Sequence, residues 1–426
     1  MENAIVKKDP FRWVMLVFIC LFYFLILGFT NQSFNILLGT ITKDMGWTAV
    51  QRTAVATAMS SGMIWFVFVA GALLDRFSVK KIMATTIFIV AVLVFLRGQA
   101  QGFMFFFSIM FAFGVASAFY MPACTKTIGL WFDKDELAYA NGWLTAASPI
   151  GQITANLFAV KIMNKLGGWQ MLYMTIGVCV LIIVAFYFFI ARDKSSADAA
   201  LKSSIIKTAD LSFWKNIGGI LRVPMVWVYC IANMAFLGSI YAGGAYGQLV
   251  LQTDPGWMLD KSISGQIPAF NNFASMIAYV VVPIIIAKVG RQHYNKFAII
   301  GGIIASLSFI VGYRSYSYVT IAACMAIGGI CYGAIVPASK VLMLQLPEVS
   351  GPRAGTALGL FVTIERIGIT FATGILGSLI SGSPETMSIT LSNFYSVQLI
   401  APILIFIAAI VGKRKKESNQ LAAVNN

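Results

Sequence analysis

Apolar runs of about 20 residues follow one another along almost the whole chain, at 13–38, 50–74, 80–97, 103–131, 137–163, 169–191, 223–249, 264–287, 295–313, 318–345, 354–381 and 391–412. An α-helix rises 1.5 Å per residue, so about 20 residues span a hydrocarbon layer roughly 30 Å thick. Lipid offers no hydrogen-bond partners, so each such run must satisfy its own backbone, which a helix does. The chain is 59% hydrophobic and 11% charged, too apolar for a soluble core, since ordinary domains hold roughly 45–50% apolar residues. The fold class expected is therefore all-α: a membrane protein of twelve transmembrane helices. The first run is too long for a cleavable signal and lacks a small-residue cleavage site, so it reads as a retained helix.

One stretch breaks the pattern near the middle. From Arg192 to Arg222 the sequence carries Asp193, Lys194, Asp198, Lys202, Lys207, Asp210 and Lys215. This predicts a six-helix bundle over 1–191, a solvated linker over 192–222, and a second six-helix bundle over 223–426 that ends in a basic tail. Of the 31 basic residues, 21 fall on the side that holds the termini and the linker, and seven (Lys43, Arg52, Arg97, Lys161, Lys165, Lys261 and Arg314) fall on the other. Cytoplasmic loops carry the excess of Lys and Arg, so both termini and the linker are expected in the cytoplasm. The net charge of +15 is thus topological. It forms no basic face with interleaved aromatics, and no nucleic-acid partner is expected.

Isolated cysteines (Cys20, Cys124, Cys179, Cys230, Cys324 and Cys331) and a single histidine, His293, give neither metal-ligand spacing nor a disulfide framework. No G-x-x-x-x-G-K-[ST] loop occurs. No enzyme activity, cofactor or metal is expected.

The halves repeat each other. Gly114-x7-Pro122-Ala123 in the fourth segment is matched by Gly329-x7-Pro337-Ala338 in the tenth, and Ala140-x-Gly142-x8-Gly151 in the fifth by Ala357-x-Gly359-x8-Gly368 in the eleventh. Aligned this way, Ser148 and Pro149 fall opposite Glu365 and Arg366. A duplicated six-helix unit is a common build for carriers.

After the second segment the chain reads Gly71-Ala-Leu-Leu-Asp75-Arg76-Phe-Ser78-Val-Lys80-Lys81. This resembles the G-x-x-x-D-R-x-G-R-[RK] loop of the major facilitator superfamily, with Ser78 in place of the second Gly. A degraded second copy holds Pro283, Ala287, Lys288, Gly290 and Arg291. Pro122-Ala-Cys-Thr-Lys126-x4-Trp131-Phe132-x3-Glu136-x3-Ala140-x-Gly142, and Lys43-Asp44-Met45-Gly46-Trp47-Thr48, are similar to patterns in bacterial facilitators that carry organic anions. The resemblance implies alternating access, with helices 1, 4, 7 and 10 lining a central cavity and 2, 5, 8 and 11 flanking it. It also implies that Gly71, Asp75, Arg76, Lys80 and Lys81 govern the conformational switch. Nitrate porters of that superfamily carry an Arg in helices 2 and 8; this chain has none there, which argues against nitrate.

An ionisable group deep in the membrane costs about 2.5–3.5 kcal/mol on insertion scales and so marks function. Glu365 is the one acid near the middle of a predicted span, and it is the candidate for proton coupling. Arg366, close to the midpoint of segment 11, is the candidate anchor for an anionic substrate; the alternative is a buried ion pair that fixes the bundle. Neighbours at i and i+1 point about 100° apart on a helix, so Glu365 and Arg366 are expected to pair poorly. Lys126 and Lys340 lie roughly 13 Å from their helix midpoints; they either snorkel to the headgroups or make the inner mouth of the cavity positive. Uncharged candidates for substrate contact are Asn31, Gln32, Tyr120, Gln152, Asn271, Asn272 and Tyr332, each of which could instead bond helix to helix.

These features favour a carrier of a small organic anion such as a carboxylate, coupled to a proton gradient and working as a monomer in the bilayer of a bacterial cytoplasmic membrane. A second reading, export of lipophilic compounds, draws on the 13% aromatic content and 19 Met. A channel or a non-transporting sensor fits the two-half repeat less well.

The topology is tested by placing a cysteine at residue 200 in a version lacking native thiols. An impermeant thiol reagent added to intact cells should leave Ala200→Cys unmodified and should label it only after the membrane is opened.

Overall fold

The computed structural model describes residues 9–76, 78–132, 134–192, 218–289, 294–344, 346, 349 and 354–411. Among them run twelve long helices: α1 (Phe11–Asp44), α2 (Ala49–Arg76), α3 (Val79–Arg97), α4 (Phe103–Trp131), α5 (Lys134–Leu166), α6 (Trp169–Ile190), α7 (Pro224–Thr253), α8 (Lys261–Val289), α9 (Tyr294–Arg314), α10 (Tyr318–Leu344), α11 (Ala354–Gly382) and α12 (Met387–Val411). Eight of them are long and apolar enough over their described residues to cross a membrane. Helices α2, α5, α8 and α10 fall outside that eight; polar residues of the first three, Ser60, Gln152 and Asn271 among them, turn toward the space between the halves. Most of the expected linker, 193–217, and the basic tail from 412 lie outside the described residues, as does His293.

Packing repeats as the sequence does. In the first half α2 lies on α4, α3 on α4 and α6, and α5 on α1; in the second, α8 lies on α10, α9 on α10 and α12, and α11 on α7. The repeated glycines sit at equivalent crossings. A Cβ at Gly114 would strike the carbonyl oxygen of Met59 in α2, and one at Gly329 would strike that of Asn271 in α8. Gly151 meets Phe24 and Gly28 of α1 in the same manner, and Gly368 meets Met234 of α7. Between helices in lipid there is little hydrophobic driving force, so the close backbone approach that only a small residue allows supplies the attraction. The repeat is thus legible because the contact it makes admits little but glycine.

Two local features depart from plain helix. Helix α1 passes through a π-helical stretch, Tyr23–Thr30, where Thr30 Oγ1 donates to Leu25 O at 2.7 Å. Such a bulge shifts the register of the helix just before Asn31 and Gln32. Arg97, at the end of α3, is fully buried, and its guanidinium lies 5.0 Å from the Tyr173 ring centre, 5.1 Å from Phe113 and 5.9 Å from Phe34. Counted above with the exposed loops of that side, it instead ties α1, α4 and α6 together through cation–π contacts.

The halves touch through α2 on α11, α5 on α8 and α1 on α7. Among the described residues the hydrogen bonds that cross between them cluster at the end remote from the termini. Arg52 Nη2 donates to Ser381 Oγ (2.9 Å), the Tyr246 hydroxyl to Thr53 Oγ1 (3.1 Å), and Gln248 Nε2 to Asn156 Oδ1 (3.0 Å). That end is closed.

If the crossings hold the halves together internally, Gly151→Val and Gly114→Val should each cost about 1–3 kcal/mol through overpacking, lowering the unfolding midpoint of the detergent-purified protein by several degrees. Gly129, with open space around it, should accept Ala without loss. Thermal unfolding monitored by size-exclusion fluorescence separates the two outcomes.

Candidate functional site

Between the halves lies a cavity of about 670 Å³. Its walls come from α1, α4, α7 and α10, as the resemblance implies, but also from α2, α5, α8 and α11, which the same resemblance casts as flanking. The lining also extends toward the end that carries the termini. The inner faces of α5 and α11 there become part of the wall, with Asn141 and Thr145 on one side and Glu365 and Arg366 on the other.

Arg366 and Glu365 both face this space, and they pair. Arg366 Nη2 lies 3.6 Å from Glu365 Oε1, with side-chain exposures of 14% and 7%. The expectation that consecutive side chains point too far apart to meet is therefore corrected. The 100° between their Cα–Cβ directions is bridged by the length and flexibility of the arginine side chain. The contact is nevertheless longer than a charge-assisted hydrogen bond, about 2.7–2.9 Å, and Arg366 Nε has no hydrogen-bond partner among the described residues. The guanidinium carbon stands 6.0 Å from the ring centre of Tyr241. So the guanidinium is electrostatically balanced, and its buried Nε donor is unused among the described residues.

Glu365 is held from behind. Asn233 Nδ2 of α7 donates to Glu365 Oε2 at 3.1 Å, and Ser339 Oγ of α10 donates to Asn233 Oδ1 at 3.4 Å. Glu365, Asn233 and Ser339 are all buried. This chain fixes one carboxylate oxygen and leaves the other directed at Arg366. Beside the pair, Tyr279 and Tyr332 stand edge to face, with centres 6.1 Å apart, and Phe236 stacks on Tyr332.

Of the remaining sequence candidates, Asn31, Gln32, Gln152, Asn271, Asn272 and Tyr332 line the cavity. Gln152 Nε2 donates to Ser148 Oγ at 3.3 Å, and Asn271 Nδ2 to the Met325 carbonyl at 3.3 Å. Tyr120 does not reach the cavity; it is fully buried, edge to face with Tyr23, which itself lines the wall. Lys126 is half-buried and outside the lining. The Lys340 side chain, like those of Gly71, Asp75 and Arg76, lies outside the described residues. Lys80 sits 5.8 Å above the Phe188 ring, while Lys81, exposed, donates its backbone N–H to the capping Ser78 Oγ.

Sequence reasoning missed three buried amides. Asn233 backs Glu365, and Asn156 and Gln248 join Gln32 at the closed end of the cavity, where Asn156 Oδ1 accepts from Gln32 Nε2 (2.8 Å) and Gln248 Nε2 (3.0 Å). Each lies within a predicted span, so the rule that marks polar groups in apolar segments would have flagged them. What the rule lacks is the partner, which comes from another helix.

Comparison with known proteins agrees with this architecture. A Bacillus subtilis (strain 168) protein named as a galactarate/D-glucarate transporter is 23% identical, covering 96% of this chain and 94% of its own. An Agrobacterium vitis protein named as a tartrate transporter is 24% identical, covering 96% and 92%. Among solved structures, a bacterial homologue of the human lysosomal transporter Spinster, inward-facing and occupied, superposes with a TM-score of 0.73 at 14% identity, covering 95% of this chain and 98% of that one. The nucleoside transporter NupG gives 0.73 at 14%, covering 92% and 99%; at such identities the likeness speaks for the fold. The sequence profile of the Major Facilitator Superfamily matches residues 6–373. A chain of twelve helices in two equivalent halves around a central cavity, matched to that profile over most of its length, belongs to the Major Facilitator Superfamily and is a multi-pass membrane transporter.

Proposed function

We propose that this protein is a proton-coupled carrier of a small organic anion, a carboxylate, in the cytoplasmic membrane of a bacterium. The observation that carries the reading is Arg366: among the described residues it is the cation that lines the cavity, and its countercharge, Glu365, is one that a proton can remove. The names of the two full-length relatives, which refer to galactarate, D-glucarate and tartrate, support an anionic substrate.

The pair suggests how coupling works. A substrate carboxylate and an ionised Glu365 compete for the same guanidinium. When Glu365 takes up a proton, Arg366 is left as an unbalanced cation in a low-dielectric site, a strongly unfavourable state that an incoming carboxylate relieves. Anion and proton therefore bind together and leave together. A guanidinium can hold the carboxylate through two parallel hydrogen bonds.

With the termini cytoplasmic, as the distribution of basic residues suggests, the closed end is the outer one and the cavity opens inward. Rocking the halves about the midplane site would open the other side. The loop bearing Gly71, Asp75, Arg76, Lys80 and Lys81 is the proposed control point of that switch. Lys126, outside the cavity lining, belongs to the inner mouth rather than to the binding site.

A second reading, export of lipophilic compounds, is favoured by the Met59, Met63, Met110, Met121 and Met325 side chains in the cavity wall, since methionine makes adaptable apolar surface.

Substitutions at two residues test the readings. Arg366→Ala should abolish stabilisation of the purified, monodisperse protein by carboxylates, and Arg366→Lys should weaken affinity about tenfold or more, having lost the bidentate fork. Unchanged carboxylate affinity in folded Arg366→Ala would favour the lipophilic reading. Glu365→Gln should bind the anion with an affinity that no longer falls as pH rises. In vesicles it should lose proton-driven accumulation yet keep counterflow exchange, and retained accumulation would remove Glu365 from the mechanism.

A further inference from the structure

Where the closed end is sealed between α2 and α11, the first half contributes a cation. Arg52, half-buried in the first turn of α2, donates from Nη2 to Ser381 Oγ in the last turn of α11 at 2.9 Å. Its guanidinium carbon lies 6.0 Å from the ring centre of Tyr246 of α7. Thr53 beside it accepts from the Tyr246 hydroxyl at 3.1 Å. Ser381 Oγ in turn donates to Gly377 O at 2.7 Å, and a Cβ at Gly377 would strike both the Tyr246 hydroxyl and Thr53 Oγ1. The seat is therefore tight, and every partner in it is neutral. Among the described residues no carboxylate stands within ion-pair distance of Arg52, and its buried Nε has no hydrogen-bond partner. Arg12, at the opposite end of the first half, is by contrast matched by Glu136 at 3.2 Å.

We infer that Arg52 has two roles: it latches the closed end and, once the halves part there, it becomes the first contact for an anion entering from that side. The inference rests on the organic-anion reading above and on the outward placement of that end. Separating a guanidinium from a serine hydroxyl and a tyrosine ring strands no second charge, as breaking an ion pair would. Ser381 keeps its own bond to Gly377 O. With no carboxylate at the seat to compete, an incoming anion replaces Ser381 as acceptor and can take two guanidinium donors at once.

The helix ends favour the same order of events. While the end is closed, Arg52 lies against the C-terminal turn of α11, where the helix dipole favours a cation. Parting the halves removes it from that turn and leaves it on the N-terminal turn of its own helix, where the dipole disfavours a cation and favours an anion. An anion held there is held only while the end is open, so by mass action it raises the open population. Arg52 is absent from the cavity lining, and an anion arriving from the other side does not meet it. The effect is one-sided: Arg52 governs capture from outside, whereas Arg366 holds the anion at the midplane.

The test measures transport by the full-length protein from each side, in intact cells for the external KM and in inverted membrane vesicles for the internal KM, with D-glucarate, tartrate and acetate as probes. Ser381→Ala breaks the latch and keeps the cation, so it should open the end more readily and lower the external KM. Arg52→Gln weakens the latch but removes the cation. It should raise the external KM about tenfold or more, the worth of one hydrogen bond to a charged group, and far more than it raises the internal KM. A residue that only latches gives the opposite sign, with Arg52→Gln lowering the external KM as Ser381→Ala does. That result would overturn the inference, as would an unchanged external KM or an equal rise on both sides. Arg52→Met serves if Arg52→Gln does not fold, and loss of the fold in both would also overturn it, since a latch between halves is not needed to fold either half. All of these results leave the organic-anion reading intact, whereas failure of wild type to carry any of the three probes from either side would bring down both.

Discussion

Lipid gives no hydrogen bonds, and from that constraint the rest of this molecule follows. Every polar group placed among the helices must find its partner in protein or face the cavity. Many described side chains divide in that way, while some buried polar atoms, those of Arg97 and Gln398 among them, have no hydrogen-bond partner among the described residues. Ser and Thr hydroxyls along the helices donate to the carbonyl one turn back, as Ser117 does to Phe113 and Thr127 to Ala123. Amides and charges, which cannot be satisfied within their own helix, gather where helices of different origin meet. Three such clusters are the Ser339, Asn233, Glu365 and Arg366 chain, the Gln32, Asn156 and Gln248 triad, and the aromatic cage of Arg97. Two of the three border the cavity.

The same constraint explains how much the sequence disclosed. Twelve spans, two halves and the glycine crossings were legible because each depends on a one-dimensional signal: the length of an apolar run, or a glycine at a fixed distance from a proline. Gly114 and Gly329, or Gly151 and Gly368, pair by sequence alone, since a close helix crossing admits little else. Arg366 and Glu365 were legible for a related reason, being costly where they stand. Asn156 and Gln248 were not. An amide in an apolar helix looks the same whether it bonds a neighbour or a substrate, and the shared acceptor that distinguishes this triad exists only once α1, α5 and α7 are brought together.

Geometry at the level of side chains was also out of reach of periodicity. The 100° between successive residues describes where side chains leave the helix, not where a long arginine side chain ends, and Arg366 reaches Glu365 in spite of it. Arg97 shows the opposite failure. Its place at the end of a span made it look like an ordinary loop cation, yet three rings from three helices enclose it. The π-helical stretch of α1 left no trace in composition either, although it sets the direction in which Asn31 and Gln32 project.

Aligning the halves adds one further step. Ser148 and Pro149 of α5 occupy the positions that Glu365 and Arg366 occupy in α11, and all four line the same cavity. A duplicated scaffold thus presents corresponding positions from its two halves to one space, neutral on one side and charged on the other. The first half carries neither charge at the corresponding positions. This asymmetry matches a ligand with two unlike ends. The second half would hold the anionic end at a site whose charge a proton can switch, while the first half supplies most of the amides that meet the remainder. In such an arrangement the substrate bridges the halves, and tight binding is compatible with release only because rocking separates the two sets of contacts.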